Sequence, residues 1–404
     1  NKKGLIDDAT AAYERAIEIK PDYLQALNNL GIIYYKKGLL DNAIASYTKA
    51  IEVNAEYAES YYNLGTVYLE QGQFDNAISK LEKATILAPG FVDAYYNLGI
   101  AYRKKGMLDE AISVLNKASE IDPEDLKTLN NLAITLHEKG NFEDAIITYE
   151  NIAAITPEDA TVHYNLGISY FKAGMPNEAI SELQKVLALK PDHTKAHYNL
   201  GVIYMRKNML SESIRDVQVS LKIDPGYSKA YVNLGVAHYR KGLPDEAITA
   251  YNRAIELKPD YGEAYYNSSF AYLGKGLIED AINMLKKGIE LNPDHSLLHF
   301  LLGNAYSDKG LLDEAIKEWE KTLDINPKHY KAHNNLGFAY YSKGLVDKAI
   351  TSIKKAIEIK DDYAEAHYHL GSIYIEKDMP EEAISELSRA IELRPEHAKA
   401  HYNL

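Results

Sequence analysis

The sequence contains no cysteine, and only one of its 404 residues is tryptophan. Without cysteine the chain forms no disulfide, no thiolate nucleophile and no zinc ribbon. Long hydrophobic runs are also missing: the run from Leu297 to Leu302 is interrupted by His299, and nothing approaches the roughly 20 apolar residues of a membrane span. The composition, 46% hydrophobic and 25% charged, excludes a disordered tail or a collagen-like fibre.

Positive charge is in the minority. Lys and Arg number 45 against 58 Asp and Glu, which gives a formal net charge of −13. A nucleic-acid binder usually carries a basic footprint, so this balance argues against a nucleic-acid partner. The sequence has no nucleotide-binding glycine loop, no nucleophile elbow and no His-Glu-x-x-His pair. We therefore predict a soluble, non-catalytic protein without a cofactor; no targeting segment is recognisable, so the compartment stays open.

A 34-residue unit repeats along the chain without insertion or deletion. A Leu-Gly pair followed three residues later by Tyr recurs at Leu30, Leu64, Leu98, Leu166, Leu200 and Leu370. We place eleven complete units over 24–397 and partial units at 1–23 and 398–404. The sequence therefore predicts one continuous repeat domain over 1–404.

Each unit predicts two helices. Apolar residues at repeat positions 4, 7, 8 and 11 share one helical face. In the third complete unit, Gly106 is expected to end the first helix in a left-handed conformation, which Asn208 and Asp378 also tolerate in their units. The second helix begins near the acidic residue Asp109 and ends before Pro123. Three second helices are preceded by Pro176, Pro244 and Pro380, where proline costs little.

Small residues mark the contact between the two helices. Gly99 is expected to face Ala111, and Ser269 to face Ala281, because two helix backbones approach closely only where side chains are small. A Gly99→Leu change should therefore overpack the contact and cost about 1–3 kcal/mol.

This pattern of Leu-Gly, Tyr, Gly, Ala and Pro in fixed phase resembles the tetratricopeptide repeat family over the whole chain. The resemblance implies an all-α, right-handed superhelical solenoid of helix-turn-helix repeats, with first helices lining the concave face, and a protein-interaction function. The array is also similar to the substrate-recognising superhelix of the O-linked N-acetylglucosamine transferases, whose catalytic domain is not present in the sequence.

Asparagine recurs at repeat position 6. The predicted ladder consists of Asn29, Asn63, Asn97, Asn131, Asn165, Asn199, Asn233, Asn267 and Asn335, and Leu301 and His369 interrupt it. Asparagine is a mediocre helix former, so its recurrence within helices needs a reason. Two explanations stay open: the amides bind the backbone of a peptide in the groove, or they bond to the neighbouring repeat and set the superhelical pitch.

Aromatic and basic residues accompany the ladder. The predicted groove aromatics are Tyr62, Tyr96, Tyr164, Tyr198 and Tyr266, which either contact apolar peptide side chains or only support the adjacent repeat. A basic cluster at positions 2 and 13 consists of Lys172, Lys195, Arg206, Lys229 and Arg240. Acidic groove residues lie before and after it, so the cluster favours an acidic ligand segment; a mixed solvated face is the alternative.

Histidines four residues apart are the only candidate metal ligands. The pairs are His193 and His197, His295 and His299, His329 and His333, and His397 and His401. Tyrosine occupies the same positions in other units and no acidic third ligand recurs, so we predict packing between units and no metal.

Two functions stay open. One is a scaffold that binds a peptide or partner protein in its groove. The other is a subunit that assembles head to tail, because neither end of the array shows a polar cap. A chain cut from a longer solenoid gives the same ends. The irregular units at 262–329 mark a bend, a docking site or simple drift.

Overall fold

The computed structural model describes residues 2–404, with side chains from residue 6 onward. Over this range the chain forms 24 helices joined by short turns and no strand. None of these helices is long and apolar enough to cross a membrane. The chain divides into two compact units, Asn1–Ala196 (unit 1) and His197–Leu404 (unit 2). The predicted all-α architecture of helix-turn-helix repeats is confirmed.

Even-numbered helices are the first helices of the repeats and odd-numbered helices are the second. The helices that begin in unit 1 are α1 Lys2–Ile19, α2 Leu24–Lys36, α3 Leu40–Val53, α4 Ala58–Glu70, α5 Phe74–Leu87, α6 Val92–Lys105, α7 Leu108–Ile121, α8 Leu126–Lys139, α9 Phe142–Ile155, α10 Ala160–Lys172, α11 Pro176–Leu189 and α12 Thr194–Arg206. They are followed by α13 Leu210–Ile223, α14 Ser228–Arg240, α15 Pro244–Leu257, α16 Gly262–Gly274, α17 Ile278–Leu291, α18 Ser296–Asp308, α19 Leu312–Ile325, α20 Tyr330–Ser342, α21 Val346–Ile359, α22 Ala364–Glu376, α23 Pro380–Leu393 and α24 Ala398–Asn403.

The turn inside each repeat follows the predicted helix signals. Gly106 has φ 83°, and the next N–H, of Met107, donates to the Tyr102 carbonyl oxygen at 3.0 Å. This bond satisfies a carbonyl that the end of α6 leaves free. Asn208 and Asp378 adopt the same conformation, with φ 59° and 58°. The predicted left-handed position is therefore confirmed where glycine is replaced as well.

Proline differs slightly from its predicted place. Pro176, Pro244 and Pro380 are the first residues of α11, α15 and α23, and do not precede them. The first helical position requires no N–H donor, so proline fits there without loss.

The close contact between paired helices is confirmed, but its nearest partner differs. A Cβ added to Gly99 would lie 2.6 Å from Cγ of Leu115, four residues beyond the predicted partner Ala111. At Gly65 the residues at both of these repeat positions are close. The added Cβ would lie 2.7 Å from Cγ of Leu81 and 3.3 Å from the Ala77 carbonyl oxygen. The missing side chain makes room mainly for a large residue of the second helix.

First helices of successive repeats contact one another within each unit. In unit 1 these contacts join α2, α4, α6 and α8, and in unit 2 they join α14 with α16 and α20 with α22. Among the described helices, no two second helices contact as closely. The first helices therefore lie on the inner side of each unit, and the asparagine ladder lies on that side.

Candidate functional site

The asparagine ladder is partly exposed at all nine positions. Several of its amides nevertheless bond to the preceding repeat. Nδ2 of Asn63 donates to Oδ1 of Asn28 at 3.1 Å, and Nδ2 of Asn97 donates to Oγ1 of Thr66 at 3.0 Å. These contacts are those that the packing explanation requires.

Some ladder amides bond to a predicted groove tyrosine. Nδ2 of Asn131 donates to the Tyr96 hydroxyl at 3.1 Å, and Nδ2 of Asn233 donates to the Tyr198 hydroxyl at 2.6 Å. Asn267 differs, since its Nδ2 donates to a carbonyl of its own helix at 2.9 Å. The two predicted residue sets are thus joined by one such hydrogen bond in each unit.

The amide donors and acceptors that these bonds do not use are available to a ligand. A primary amide has two N–H donors and a carbonyl that accepts two hydrogen bonds, and one N–H is used in most of the ladder. Among the described residues, the Asn165 side chain has no hydrogen-bond partner although it is partly exposed. Bonds within the protein therefore use one amide N–H at most ladder positions and none at Asn165.

Four of the five groove tyrosines contact the ring at the end of their own repeat, in tilted geometry. Centroid distances are 4.7 Å for Tyr62 with Phe91, 5.1 Å for Tyr164 with His193, 4.9 Å for Tyr198 with Tyr227 and 6.0 Å for Tyr266 with His295. Tyr198 is only 6% exposed, whereas the other predicted groove tyrosines are half-buried. These rings therefore pack against one another within their repeats, and contact between the tyrosines and a ligand stays a prediction.

The basic cluster is exposed at all five positions. In unit 2, Arg240 also bonds to the preceding repeat through the Met205 carbonyl at 3.1 Å and Oδ1 of Asn208 at 3.3 Å. Nζ of Lys229 lies 5.8 Å from the Tyr198 ring centroid. Part of the positive charge is therefore held against the protein and part faces solvent.

Histidine at repeat position 4 links three segments, which sequence reasoning missed. Nδ1 of His163 lies 2.6 Å from Oε2 of Glu182 in α11, and its Nε2 lies 3.0 Å from the Pro157 carbonyl oxygen. Both partners are hydrogen-bond acceptors, so each of these two contacts needs an N–H on the ring. Glu318 and Glu386 lie at the same repeat position as Glu182 and contact His299 and His367 in the same way. No recurring acid beside these histidines had been found from the sequence.

The effect of this acid on titration is clearest at His367. Burial would lower the pKa of His367, but the hydrogen bonds to Glu386 and to the Asp361 carbonyl raise it above its usual value. No group of three potential ligands in the described residues could hold a metal ion. The geometry of these histidines is that of a packing contact.

Each unit has a cavity at equivalent repeat positions. The unit-1 pocket, about 230 Å³ between α8 and α10, is lined by Ile134, His137, Glu138, Tyr149, Tyr164, Asn165 and Ile168. The unit-2 pocket, about 290 Å³ between α18, α20 and α22, is lined by Asn304, Ser307, Asp308, Trp319, Asn335, Phe338 and His369. Repeat positions 9, 12, 13 and 24 of one repeat and positions 6 and 9 of the next contribute to both.

The unit-1 pocket is mainly apolar, and its charge is compensated. Nη1 of Arg103 lies 3.1 Å from Oε1 of Glu138. Nδ1 of His137 lies 2.9 Å from Oγ of Ser169, whose hydroxyl donates to a backbone carbonyl, so Nδ1 donates. Burial, followed by the nearby Lys172, lowers the pKa of His137 below its usual value.

The unit-2 pocket is more polar. Oδ1 of Asn304 accepts from Nε1 of Trp319 and from Nδ2 of Asn335, both at 3.0 Å. Phe338 is 49% exposed and stacks on His369, with ring centroids 5.0 Å apart and an angle of 27°. Burial lowers the pKa of His369 to about 4, so the ring is neutral near pH 7. In the sequence, His369 interrupts the ladder and the units at 262–329, which contain Trp319, are irregular, but neither feature located this pocket.

The fold and these surfaces define a helical repeat scaffold. The family model described as the C-terminal domain of cilia and flagella-associated protein 70, a tetratricopeptide model, matches residues 7–224, more than half of the chain. Other tetratricopeptide models match 228–261, 262–295, 284–317, 303–344, 339–378 and 364–397. The chain belongs to the tetratricopeptide repeat family and is a scaffold for protein interaction. No curated protein matches the chain.

Solved structures of the family are similar in part. The structure of YrrB, described as a tetratricopeptide protein with an unusual peptide-binding site, is 22% identical, with a TM-score of 0.41 over 46% of this chain and 96% of that one. MamA is 32% identical, with a TM-score of 0.39 over 40% and 95%. A chain of the APC/C hetero-tetramer Cut9–Hcn1 is 19% identical, with a TM-score of 0.46 over 100% of this chain and 93% of that one.

Proposed function

We propose that this chain is a non-catalytic scaffold that binds an extended peptide, or an extended segment of a partner protein, along its first helices. The observation that carries the proposal is the partly exposed asparagine at the same position of nine repeats. An extended backbone offers donors and acceptors at regular intervals, and a primary amide satisfies both.

The unused bonding capacity of the ladder supports this binding mode. Asn63 and Asn335 commit one N–H to a neighbouring repeat, and Asn165 commits none within the described residues. Each hydrogen bond to a peptide contributes on the order of 1 kcal/mol, so affinity accumulates over several repeats. Such binding depends little on the peptide's sequence.

The surrounding side chains indicate which segments bind well. The exposed lysines and arginines of the basic cluster attract an acidic segment, and the half-buried tyrosines and Ile168 offer apolar contacts beside the ladder. We therefore expect the preferred partner to combine acidic and apolar side chains.

A triple change of Asn131, Asn165 and Asn199 to Ala tests the ladder. Peptides are first selected from a random display library on the unaltered protein, and their Kd is then measured for both proteins. We expect a loss of affinity of about a hundredfold, because about 1 kcal/mol is lost for each of the three amides. Circular dichroism checks that the variant still folds.

Three exposed asparagines on second helices, Asn116, Asn151 and Asn252, provide the matched control. Changing them to Ala alters the same chemistry on the opposite helices and should leave Kd within about twofold. Equal affinity of the ladder variant, or an equal loss in the control, would remove the ladder from the binding site.

Head-to-tail assembly stays an alternative prediction. Light-scattering mass across a concentration series tests it. A mass that rises without a plateau supports assembly, whereas a constant monomer mass contradicts it.

A further inference from the structure

The unit-2 pocket presents a carboxylate without a compensating cation. Asp308, at the end of α18, is exposed and forms no ion pair with any residue that the structure describes. Lys309, the next residue, pairs with Glu279 in the preceding repeat. Lys343, at the end of α20, pairs with Asp313.

The unit-1 pocket shows why this charge is unpaired. Glu138 occupies the same repeat position as Asp308, and Arg103 of the preceding repeat neutralises it. The residue equivalent to Arg103 in unit 2 is Leu273, which packs against the apolar core of that region. One substitution in the repeat pattern thus removes the internal cation and leaves the acid facing the cavity.

Asp308 carries the only charge among the described residues that line the unit-2 pocket. Oδ1 of Asn304 is not available to a ligand, because it accepts two hydrogen bonds, from Trp319 and from Asn335, which fill both lone pairs. The Asp308 carboxylate is therefore the acceptor to which a cationic donor of a ligand would bind most strongly.

An aromatic ring lies in the same cavity. Phe338 is 49% exposed, and the ring it stacks on, His369, is neutral near pH 7 because its pKa lies at about 4. A neutral histidine does not repel a cation, and an exposed phenyl face attracts one within about 6 Å. The pocket therefore combines an aromatic face with an unpaired negative charge.

We propose that the unit-2 pocket binds a lysine or arginine side chain of the peptide segment held along the first helices. The aliphatic stem packs on Phe338 and the cationic head lies at Asp308 and Ser307. This inference rests on the proposed peptide-binding function and adds a basic residue to the ligand, separate from the acidic segment expected at the basic cluster. Charge complementarity and the aromatic face select this occupant.

The pocket carries its own spectroscopic probe, because Trp319 is the only tryptophan in the chain and lines the cavity. The probes are capped peptides of Gly, Ser and Asn that carry one central lysine, norleucine or glutamate. Trp319 emission is titrated with each peptide on the full chain. We expect the lysine peptide to bind at least about tenfold more tightly than the norleucine peptide, and the glutamate peptide to bind most weakly.

Asp308→Asn is the test variant, and Asp93→Asn, an exposed groove acid in unit 1, is its control. The first change should abolish the preference for lysine over norleucine, and the second should leave it unchanged. Leu273→Arg should also abolish it, since it restores the cation found in the unit-1 pocket. Unfolding curves confirm that each variant is folded.

Equal affinities for lysine and norleucine peptides, or no response of Trp319 to any peptide, would overturn this inference. Neither result bears on the proposed role of the asparagine ladder, because the library peptides and the ladder variant test that role separately. If the ladder variant bound the library peptides as tightly as the unaltered protein while the preference for lysine remained, the proposed binding of an extended peptide would be wrong. The lysine-binding role of the unit-2 pocket would still stand.

Discussion

The two pockets occupy equivalent repeat positions, yet they differ in chemistry. In unit 1, isoleucines surround the cavity and Arg103 neutralises Glu138. In unit 2, Asn304 replaces one isoleucine, and Asp308 has no ion pair among the described residues. A strict 34-residue repeat therefore fixes where a pocket forms, while a few groove residues determine what it can bind.

The largest expected effect comes from the buried ring at the base of each pocket, Trp319 in unit 2 and Tyr149 in unit 1. Trp319 is 3% exposed and Tyr149 is 2% exposed, so changing either to Ala should cost about 3–5 kcal/mol. Replacement of each ring by Phe distinguishes the two pockets. Trp319→Phe removes the donor to Asn304 and should cost about 1–3 kcal/mol, whereas Tyr149→Phe should cost little, since no hydrogen bond of its hydroxyl is seen in the described residues.

Urea unfolding followed by circular dichroism measures these free energies, because the tryptophan variants lose their fluorescence. Equal effects of the two Phe variants would show that the Trp319–Asn304 bond contributes nothing beyond ring packing.

The next effect is a pH dependence specific to unit 2. Burial lowers the pKa of His369 to about 4, against about 6.5 in an unfolded chain. The unfolded chain thus binds the proton first as pH falls. Stability is fully present above about pH 6.5 and is lost towards pH 4, by up to about 1.4 kcal/mol per pH unit. Glu365 opposes this shift, whereas His397 and Lys399 strengthen it.

His369→Asn provides the comparison, because asparagine is the usual residue at this repeat position. Nδ1 of His369 lies 2.9 Å from Oδ1 of Asn334, and Nδ2 of Asn63 donates to Asn28, the residue at the same repeat position in unit 1. The free energy of unfolding, followed by Trp319 emission between pH 7 and pH 4, should fall less in the variant. Parallel curves for the two proteins would contradict a neutral, buried His369.

Local signals predicted the helices, and contacts between distant positions did not follow from them. Gly106 and Pro123 mark helix ends through their own backbone preferences, so a single sequence reveals them. The pairing of Arg103 with Glu138 joins residues 35 apart in neighbouring repeats. It depends on how repeats stack, and the repeat pattern alone does not show which side chains meet there.

The histidine contacts illustrate the same limit. Spacing along a helix suggested metal chelation or ring packing for His299, yet its partner is Glu318, 19 residues later on the second helix. Only the crossing of the two helices brings these side chains together. The ladder was located from sequence, but its role was not, because one amide can serve both the neighbouring repeat and a ligand.

The smallest expected difference lies in the glycines behind the two pockets. A Cβ added to Gly303 would lie 2.7 Å from the rigid Trp319 ring and 3.2 Å from the Ala315 carbonyl oxygen. A Cβ added to Gly167 would lie 3.1 Å from Cγ of Leu183, a flexible side chain that can shift. Gly303→Ala should therefore cost about 1–3 kcal/mol.

Gly167→Ala should change stability by no more than about 0.5 kcal/mol, because the better helix propensity of alanine offsets a small steric cost. Gly262→Ala is the control, since an added Cβ there meets no atom within 4 Å. Thermal unfolding of the three variants ranks them. If Gly167→Ala were as destabilising as Gly303→Ala, the unit-1 pocket would be as rigid as the tryptophan-based one. The two pockets would then differ in their polar groups alone and not in the stiffness of the wall behind them.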